Sequence, residues 1–478
     1  MRHLRFIPGY HFGRIAVLGA LALVGGCVHA PPLPVDLPAR VSARIGATLD
    51  VPAITARAAV LAPGTLRPIA GFDRLSVFAA ILSDDPRVAT ARANVEAARR
   101  DARLARKAAM PTLSLATDYT NDPSMPSPWL IGVTADVPLD FGGRRLGRLR
   151  SADLSVIGAG YDLIDVVWTD RIAAMRGLID VCAGERQVAL GDDLVGLYDR
   201  QLAAMQRRVA GGEISSLTMA QVRAARAAAA RTRDDARARI LLGRAAIATV
   251  LGVPVSALDG MVFVWPDFDS VPPAPAITPA VKAAALVHRA DVLHTIVSYD
   301  QAEAALRIEV AKQVPSISLA PGYTWQGGLF HIPFGVNLQA PSFDLNRTAI
   351  RAAEAHRAAA GVAIEVAIAD AQGAIDTAAS ERTAAAAALA RLTQEELPQA
   401  WLAANRADAQ LRLGAIDRAD WAVAKAANAA ARLAAVDTLA RLHLAQIALE
   451  AALRRPLDGP ETQISVRTDA ALTEGNQP

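Results

Sequence analysis

Residues 315–347 read PSISLAPGYTWQGGLFHIPFGVNLQAPSFDLNR, and this stretch decides the fold. Ile317, Leu319, Tyr323 and Trp325 share one parity, and Ser316, Ser318, Ala320, Gly322 and Thr324 share the other. After a short Gly-rich gap, Ile332, Phe334, Val336 and Leu338 alternate with Gly335, Asn337 and Gln339. Successive side chains of a strand point to opposite faces, so the spacing predicts two strands, 315–325 and 332–340. Each has one apolar and one polar face. About ten residues is the length that crosses a bilayer when tilted. Tyr323 and Trp325 stand at one end, where an interfacial aromatic girdle would lie.

Working outward, the same pattern occurs once more. Strands are expected at 111–120, where Leu113, Leu115, Thr117 and Tyr119 alternate with Thr112, Ser114, Ala116 and Asp118, and at 129–138. In the latter, Trp129, Ile131, Val133 and Val137 alternate with Gly132, Thr134 and Asp136. If the apolar faces meet lipid, Asp118, Asp136, Asn337 and Gln339 face a lumen. The duplication extends to the helices. Pro86 precedes Pro111 by 25 residues, as Ala290 precedes Pro315. Phe141 to Gly212 and Phe343 to Gly414 are both 71; Gly212 to Pro254 and Gly414 to Pro456 are both 42. Two internal repeats follow, 73–257 and 278–457, joined by a linker at 258–277. Each predicts a helix of about 35 residues, two strands, a helical run of about 68, a Gly-containing tip turn (211–216 or 413–418) and a return helix of about 35. At 1.5 Å per residue the long run spans about 100 Å, which two short helices end to end would match. Narrow apolar stripes such as Leu194, Leu197, Gln201, Met205 and Val209 predict coiled-coil-like packing.

The N-terminus reads as a secretory signal over 1–26, with Arg2, His3 and Arg5 ahead of an apolar run from Ile15 to Val24. Cys27 follows directly, as in a bacterial lipoprotein signal, and is the expected acylation site. Residues 27–72, rich in Pro, Ala and Val, are expected to be an extended tether, and 458–478 a flexible tail. The second cysteine, Cys182, reads as a small buried apolar residue. No later apolar run reaches the ~18 residues of a membrane helix, so a crossing must be made by strands in a closed barrel. Four strands fall short of the eight of the smallest single-chain barrels, so a membrane-crossing set must be shared between chains.

In this order and duplicated, the hairpins, the strand exits VPLDFGGRR and APSFDLNR, HRADV, and the turns GGEIS and LGAID resemble the TolC-type outer-membrane efflux channel family over residues 73–457. The resemblance implies a mainly α fold with membrane β: a homotrimer with a shared twelve-stranded β-barrel, four strands per chain, continuing into a long α-helical coiled-coil barrel. It implies a passive exit duct of a tripartite efflux pump, anchored in the outer membrane and extending into the periplasm. The partners would be a periplasmic adaptor, an inner-membrane pump of RND type and outer-membrane lipid. DFGGRR and FDLNR look more like the heavy-metal branch than the drug branch. The family usually has Pro where this chain has Ala290.

Candidate functional residues follow from these positions. Gly211, Gly212 and Gly414 mark the tips where helices reverse, since Gly supplies the φ > 0 that a helix C-terminus wants. The resemblance implies that these tips meet the adaptor or pump. Asp417 and Asp420 are the aperture candidates, and Asp417 also suits a helix N-terminus. Asp420 matches the family position of an acidic residue ringing the closed aperture, whereas the second acid is Val423 here. Arg144, Arg145, Arg148 and Arg150 oppose the helix dipole at a strand exit, so anionic lipid headgroups or acidic neighbours should favour them. His288, His294 and His331 form no ligand cluster, and no metal or cofactor site is expected. No phosphate loop, H-E-x-x-H or G-x-S-x-G is present, so an enzyme is not expected. A net charge of +3 gives no reason to expect nucleic acid. The competing reading is a lipid-anchored periplasmic scaffold or adaptor without a pore, which leaves the two-faced strands unexplained.

Overall fold

The computed structural model describes residues 32–62, 71–107, 110–121, 124, 126–139, 142–211, 215–341 and 343–464. The signal segment, Cys27 and Gly212 lie outside the described residues. The chain divides into an N-terminal unit ending at Gly46 and a second unit from Ala47. In the first, α1 (Leu37–Ile45) starts at Asp36, which caps the Ala39 N–H at 2.9 Å. In the second, α2 (Val51–Leu61) is capped by Asp50 and buries Ile54, Ala58 and Leu61. The stretch expected to be extended tether is therefore partly helical. A capping Asp followed at once by Val-Pro or Leu-Pro starts a helix, and the apolar face of α2 joins the core.

The helix expected before each strand pair is broken in both repeats. In the first, α3 (Arg74–Asp84) ends at Asp85, which caps α4 (Pro86–Ala105), and Pro86 takes the first helical position. In the second, α7 (Pro279–His288) and α8 (Ala290–Ala311) meet at Arg289. Ala290 does not prevent the break, because the Arg289 guanidinium is held by Asp291 at 2.5 Å and by the Ala452 carbonyl at 2.5 Å.

Five strands form one sheet: β1 (Thr112–Tyr119), β2 (Trp129–Leu139), β3 (Ser316–Gln326), β4 (Leu329–His331) and β5 (Phe334–Gln339). All pairings are antiparallel, in the order β1-β2-β3, with β4 and β5 both on β3. The fourth expected strand, 332–340, is β5 and starts at Phe334, while β4 is an additional short strand in the stretch expected as a gap. Pro333 has no N–H to donate, while its carbonyl accepts the Gly322 N–H at 2.8 Å. Gly327 and Gly328, both at positive φ, form the turn before β4.

The long helices follow the strands. α5 (Arg144–Ala210) runs unbroken for 67 residues and returns as α6 (Ser216–Leu251) with 36. In the second repeat α9 (Arg347–Arg391) passes through a π turn at Leu392–Glu396 into α10 (Leu397–Arg412), and α11 (Arg418–Leu453) returns with 36 residues. Within Arg347–Arg412 an 18-residue stretch of mean hydropathy 1.4, 11% of it buried, is long and apolar enough to cross a membrane. This corrects the expectation that no run qualifies; alanine rather than bulky aliphatic residues supplies the hydropathy.

Helix pairing in the first repeat is exceptionally close. Gly177, Gly184 and Gly191 recur every seven residues on α5, the spacing of one face in a coiled coil. A Cβ at Gly177 would sit 2.8 Å from the Gly243 carbonyl oxygen, and one at Gly184 would sit 3.0 Å from that of Ala236. The main core lies midway along the bundle and draws on both repeats: Met175, Leu178 and Ile179 of α5, Ile247 and Leu251 of α6, and Leu442 and Ile447 of α11. The segment expected as a linker supplies Leu258, Phe263, Trp265 and Phe268 to it. Cys182 is buried there too, and burial pushes its thiol up to about 12.

Candidate functional site

The strand register sorts the sheet into two faces. Leu113 and Leu115 of β1 pair with Ala135 and Val133, and Ile317 and Leu319 of β3 pair with Leu338 and Val336 of β5. All of these lie on one face, and most are bare in a single chain. Leu115 is 72% exposed, Phe334 68% and Leu338 64%. Water would not tolerate so large a contiguous apolar face. At the far end, Tyr119 meets Trp129 edge-on at 5.0 Å, and Tyr323 stacks on Phe330 at 6.4 Å. This is an aromatic rim of the kind that marks a membrane interface.

The opposite face is polar. Asp136 accepts hydrogen bonds from the Ser318 hydroxyl at 2.5 Å and the Asn337 amide at 2.9 Å. Gln339 accepts one from the Ser316 hydroxyl at 3.0 Å. Three of the four lumen candidates, Asp136, Asn337 and Gln339, therefore share one patch near the helical end of the sheet. Asp118 stands apart at the other end, opposite Leu130 and exposed. Each edge of the sheet pairs on one side only: β1 with β2, and β4 and β5 with β3. Unpaired N–H and C=O groups are not tolerated in lipid, so this sheet is complete only beside further strands.

At the far end of the helices the second tip is built locally. Gly414 has φ 71°, its N–H reaches the Leu411 carbonyl, and the Ala415 N–H reaches that of Gln410. This pair of bonds satisfies the carbonyls that end α10. Asp417 caps α11 through the N–H groups of Ala419 (2.8 Å) and Asp420 (2.9 Å). The Asp420 side chain is exposed. Gly211 is also exposed, at the turn after α5.

The sequence reading missed Asp408. Its carboxylate accepts from Trp421 Nε1 and Lys425 Nζ, both at 2.7 Å, and ties α10 to α11. These bonds, Lys425 first, hold its carboxyl below the ordinary range. The signal was available: Asp408 and Trp421 lie about equally far from Gly414, so a hairpin places them side by side.

A buried ionic cluster was missed as well. Arg74 meets Asp458 at 2.5 Å and Glu461 at 3.2 Å; Arg171 meets Glu450 at 2.8 Å. Glu450 is fully buried, and burial raises its carboxyl against the pull of Arg171 and Arg74. Asp458, Glu461 and Ile464 belong to the segment expected as a flexible tail; to Ile464 it is instead packed, and the rest lies outside the described residues. Among the described residues no group of three or more His, Cys, Asp or Glu could hold a metal ion.

Comparison with known proteins agrees with this architecture. Residues 77–253 match the family described as Outer membrane efflux protein. The cobalt-zinc-cadmium resistance protein CzcC of Cupriavidus metallidurans is 24% identical over 225 residues, covering 46% of this chain. The chain spans about half the length of that relative, 53%. Among solved structures, CusC superposes with a TM-score of 0.66 at 18% identity over 82% of this chain and 95% of its own. The Campylobacter jejuni CmeC outer membrane channel gives 0.67 at 14% identity over 84% and 89%. The open Neisseria gonorrhoeae MtrE outer membrane channel gives 0.62 at 20% identity over 81% and 89%. The fold is that of these outer-membrane channel structures. Residues 77–253 thus carry the outer membrane efflux protein family domain, on a chain whose fold is that of the outer-membrane efflux channels.

Proposed function

We propose that this chain is one subunit of an outer-membrane efflux channel, the passive exit duct of a tripartite pump. The observation that carries the reading is the open sheet. It has four strand positions, one bare apolar face, one polar face and two edges left to pair. Three copies would close twelve strands into a barrel around a polar lumen, and their helices would continue it as a tunnel. The outer membrane would hold the barrel, and Cys27 would carry an acyl anchor. The helix tips around Gly211 and Gly414 would meet a periplasmic adaptor and an inner-membrane pump of RND type. Similarity to a cobalt-zinc-cadmium resistance protein favours divalent metal cations as cargo. Asp420, exposed one turn into α11, would stand three times around the axis and form a cation-attracting constriction.

Planar-bilayer recording tests the duct directly. Detergent-extracted oligomer should give discrete conductance steps, and Asp420→Ala should raise conductance and lower cation selectivity. A chain starting after Cys27 that stays a soluble monomer and inserts no conductance would replace the channel with a pore-free scaffold. In cells, deletion should increase sensitivity to a divalent metal; an unchanged response across metals and lipophilic toxins would remove the efflux role.

A further inference from the structure

The four places where strands give way to helices are tied into one belt. Arg144 donates to the carbonyls of Val314 (2.6 Å) and Ala311 (3.3 Å), and Arg145 to that of Arg106 (3.4 Å). Gln313 donates to the Leu345 carbonyl at 3.1 Å, and Asn346 to the Glu309 carbonyl at 2.8 Å. Residues 103–111, 140–150, 307–315 and 340–351, the stretches flanking the strands on this side, contain eleven Lys and Arg against three Asp and Glu. That is a net of +8 in a chain whose total is +3, so everything outside the belt sums to −5. The segments that join the strands on the other side, 120–128 and 327–333, contain a single charged residue in sequence, Asp122. The excess of positive charge is confined to one rim.

Two further features bear on what the belt meets. Arg106 and Arg150 meet carboxylates just outside the belt, Asp153 at 2.7 Å and Asp300 at 3.2 Å, whereas Arg144 donates to backbone carbonyls, which orient a guanidinium without cancelling its charge. Large apolar side chains also stand bare among the cations, including Leu104, Met110, Leu146, Phe343 and Leu345. Arginine and lysine mixed with exposed apolar side chains, directly beside a lipid-facing apolar band, is the composition of a surface at the headgroup level of a bilayer. The belt also explains why four arginines tolerate the unfavourable N-terminal end of α5.

Resting on the proposed barrel, we infer that this belt is a binding surface for the phosphate headgroups of anionic phospholipids in the periplasm-facing leaflet. It fixes the depth and direction of the barrel in the membrane. The opposite rim, which has aromatic residues and no cation, meets the other leaflet without a comparable claim on phosphate.

The test uses the full chain in nanodiscs of phosphatidylcholine alone or with about one-third phosphatidylglycerol. Native mass spectrometry reads the lipids retained by the oligomer. Phosphatidylglycerol should be retained over phosphatidylcholine, and raising NaCl should abolish the preference. Lys107→Gln with Arg145→Gln should weaken that retention about tenfold or more, at roughly fivefold for each cation near an anionic surface. Lys107→Arg with Arg145→Lys should restore it. Equal retention of the two lipids by the wild type would overturn the inference, and so would a Gln double variant that retains phosphatidylglycerol undiminished or a preference insensitive to salt. Should the Gln variant fail to assemble, the wild-type preference and its salt dependence still decide. Conductance in planar bilayers of pure phosphatidylcholine is read in parallel: its loss in the wild type counts against the channel itself, whereas intact conductance without lipid preference counts only against the belt.

Discussion

In the first repeat α5 runs unbroken from Arg144 to Ala210, and Gly177, Gly184 and Gly191 let α6 approach until backbone meets backbone. At the matching positions of the second repeat stand Ala379, Ala386 and Thr393, and Gly243 of α6 is matched by Ala445. The long helix of the second repeat also contains Pro398 where the first has Gly196, and the π turn at Leu392–Glu396 absorbs it. Proline cannot donate its backbone hydrogen bond and crowds the preceding turn. A wider turn just before it accommodates both defects without breaking the helix. Equal lengths thus conceal unequal stiffness. The first hairpin is locked by close approach, and the second carries a joint about four turns from its tip. The acids at the tip, Asp417 and Asp420, also belong to the second repeat alone, with Ser215 and Thr218 at the matching places.

The most disruptive way to erase the difference is to give the first helix the second's proline. Gly196→Pro has no π turn to receive it and should cost about 3 kcal/mol or more, read as a lower melting temperature of the detergent-solubilised oligomer. A melting temperature unchanged from wild type would mean that α5 is as yielding there as its counterpart. In the converse variant, Pro398→Ala, hydrogen exchange across 392–399 should slow while stability changes little. Next comes the glycine seam. Gly177→Ala places a methyl 2.8 Å from a backbone oxygen that no rotamer change can move, and overpacking of this kind costs about 1–3 kcal/mol. Ala379→Gly in the second repeat should cost only the helix-propensity difference, about 1 kcal/mol. Equal costs at the two sites would show that the seam is not what distinguishes the repeats.

A third contrast lies where each repeat breaks its leading helix. In the first, Asp85 and Asp170 bury carboxyl groups against each other, with Arg87 on Asp170 at 2.6 Å. Burial, then the neighbouring Asp85 carboxyl, raises Asp170 to about 6. In the second, Arg289 and Asp291 pair as opposite charges at the same junction. A carboxyl raised in the folded state binds its proton more tightly there than in the unfolded chain. Its contribution is complete below about pH 4 and is lost as pH rises through about 6. Asp170→Asn keeps a hydrogen-bond donor without the charge. It should flatten this window and raise the melting temperature at pH 8 by a few degrees. A variant whose profile still falls between pH 4 and 6 would place the lost proton elsewhere.

What could be read in the sequence divides along the same physical line. Alternation with period two reveals a strand wherever one face differs from the other, and it located both hairpins. It does not show that the last strand would start only at Phe334, because the apolar parity of Ile332, Phe334 and Val336 continues across Pro333. Intervals between glycines and prolines revealed the repeat and the tips. The core contributed by Phe263, Trp265 and Phe268 follows no period, and so it read as linker. The partners Arg74 and Glu461 lie 387 residues apart, beyond any local pattern. A charged residue in a polar stretch looks the same whether it ends in solvent or in a buried cluster. The glycine seam was visible as three residues seven apart, but only the facing helix shows that they are needed.

The smallest effect is expected at the second tip, and its sign opposes that of the Asp85–Asp170 pair. Asp408 is held below the ordinary carboxylate range by Lys425 and then Trp421. A depressed carboxyl contributes above its unfolded value of about 4, and the contribution disappears as pH falls through the lower folded value. Acid therefore loosens the second tip while it secures the leading helix of the first repeat. The side chains are about one-third exposed, so the bond is worth no more than about 1 kcal/mol. Hydrogen exchange over 418–425 resolves it without needing the whole oligomer to melt. At pH 7, Asp408→Asn should exchange severalfold faster than wild type there and identically in 216–223, the matching segment of the first repeat. Because wild type loses the same interaction in acid, the two proteins should converge as pH falls below about 4. Faster exchange in both segments would mean that the tips move as one body, and the asymmetry between the repeats would then end at the π turn.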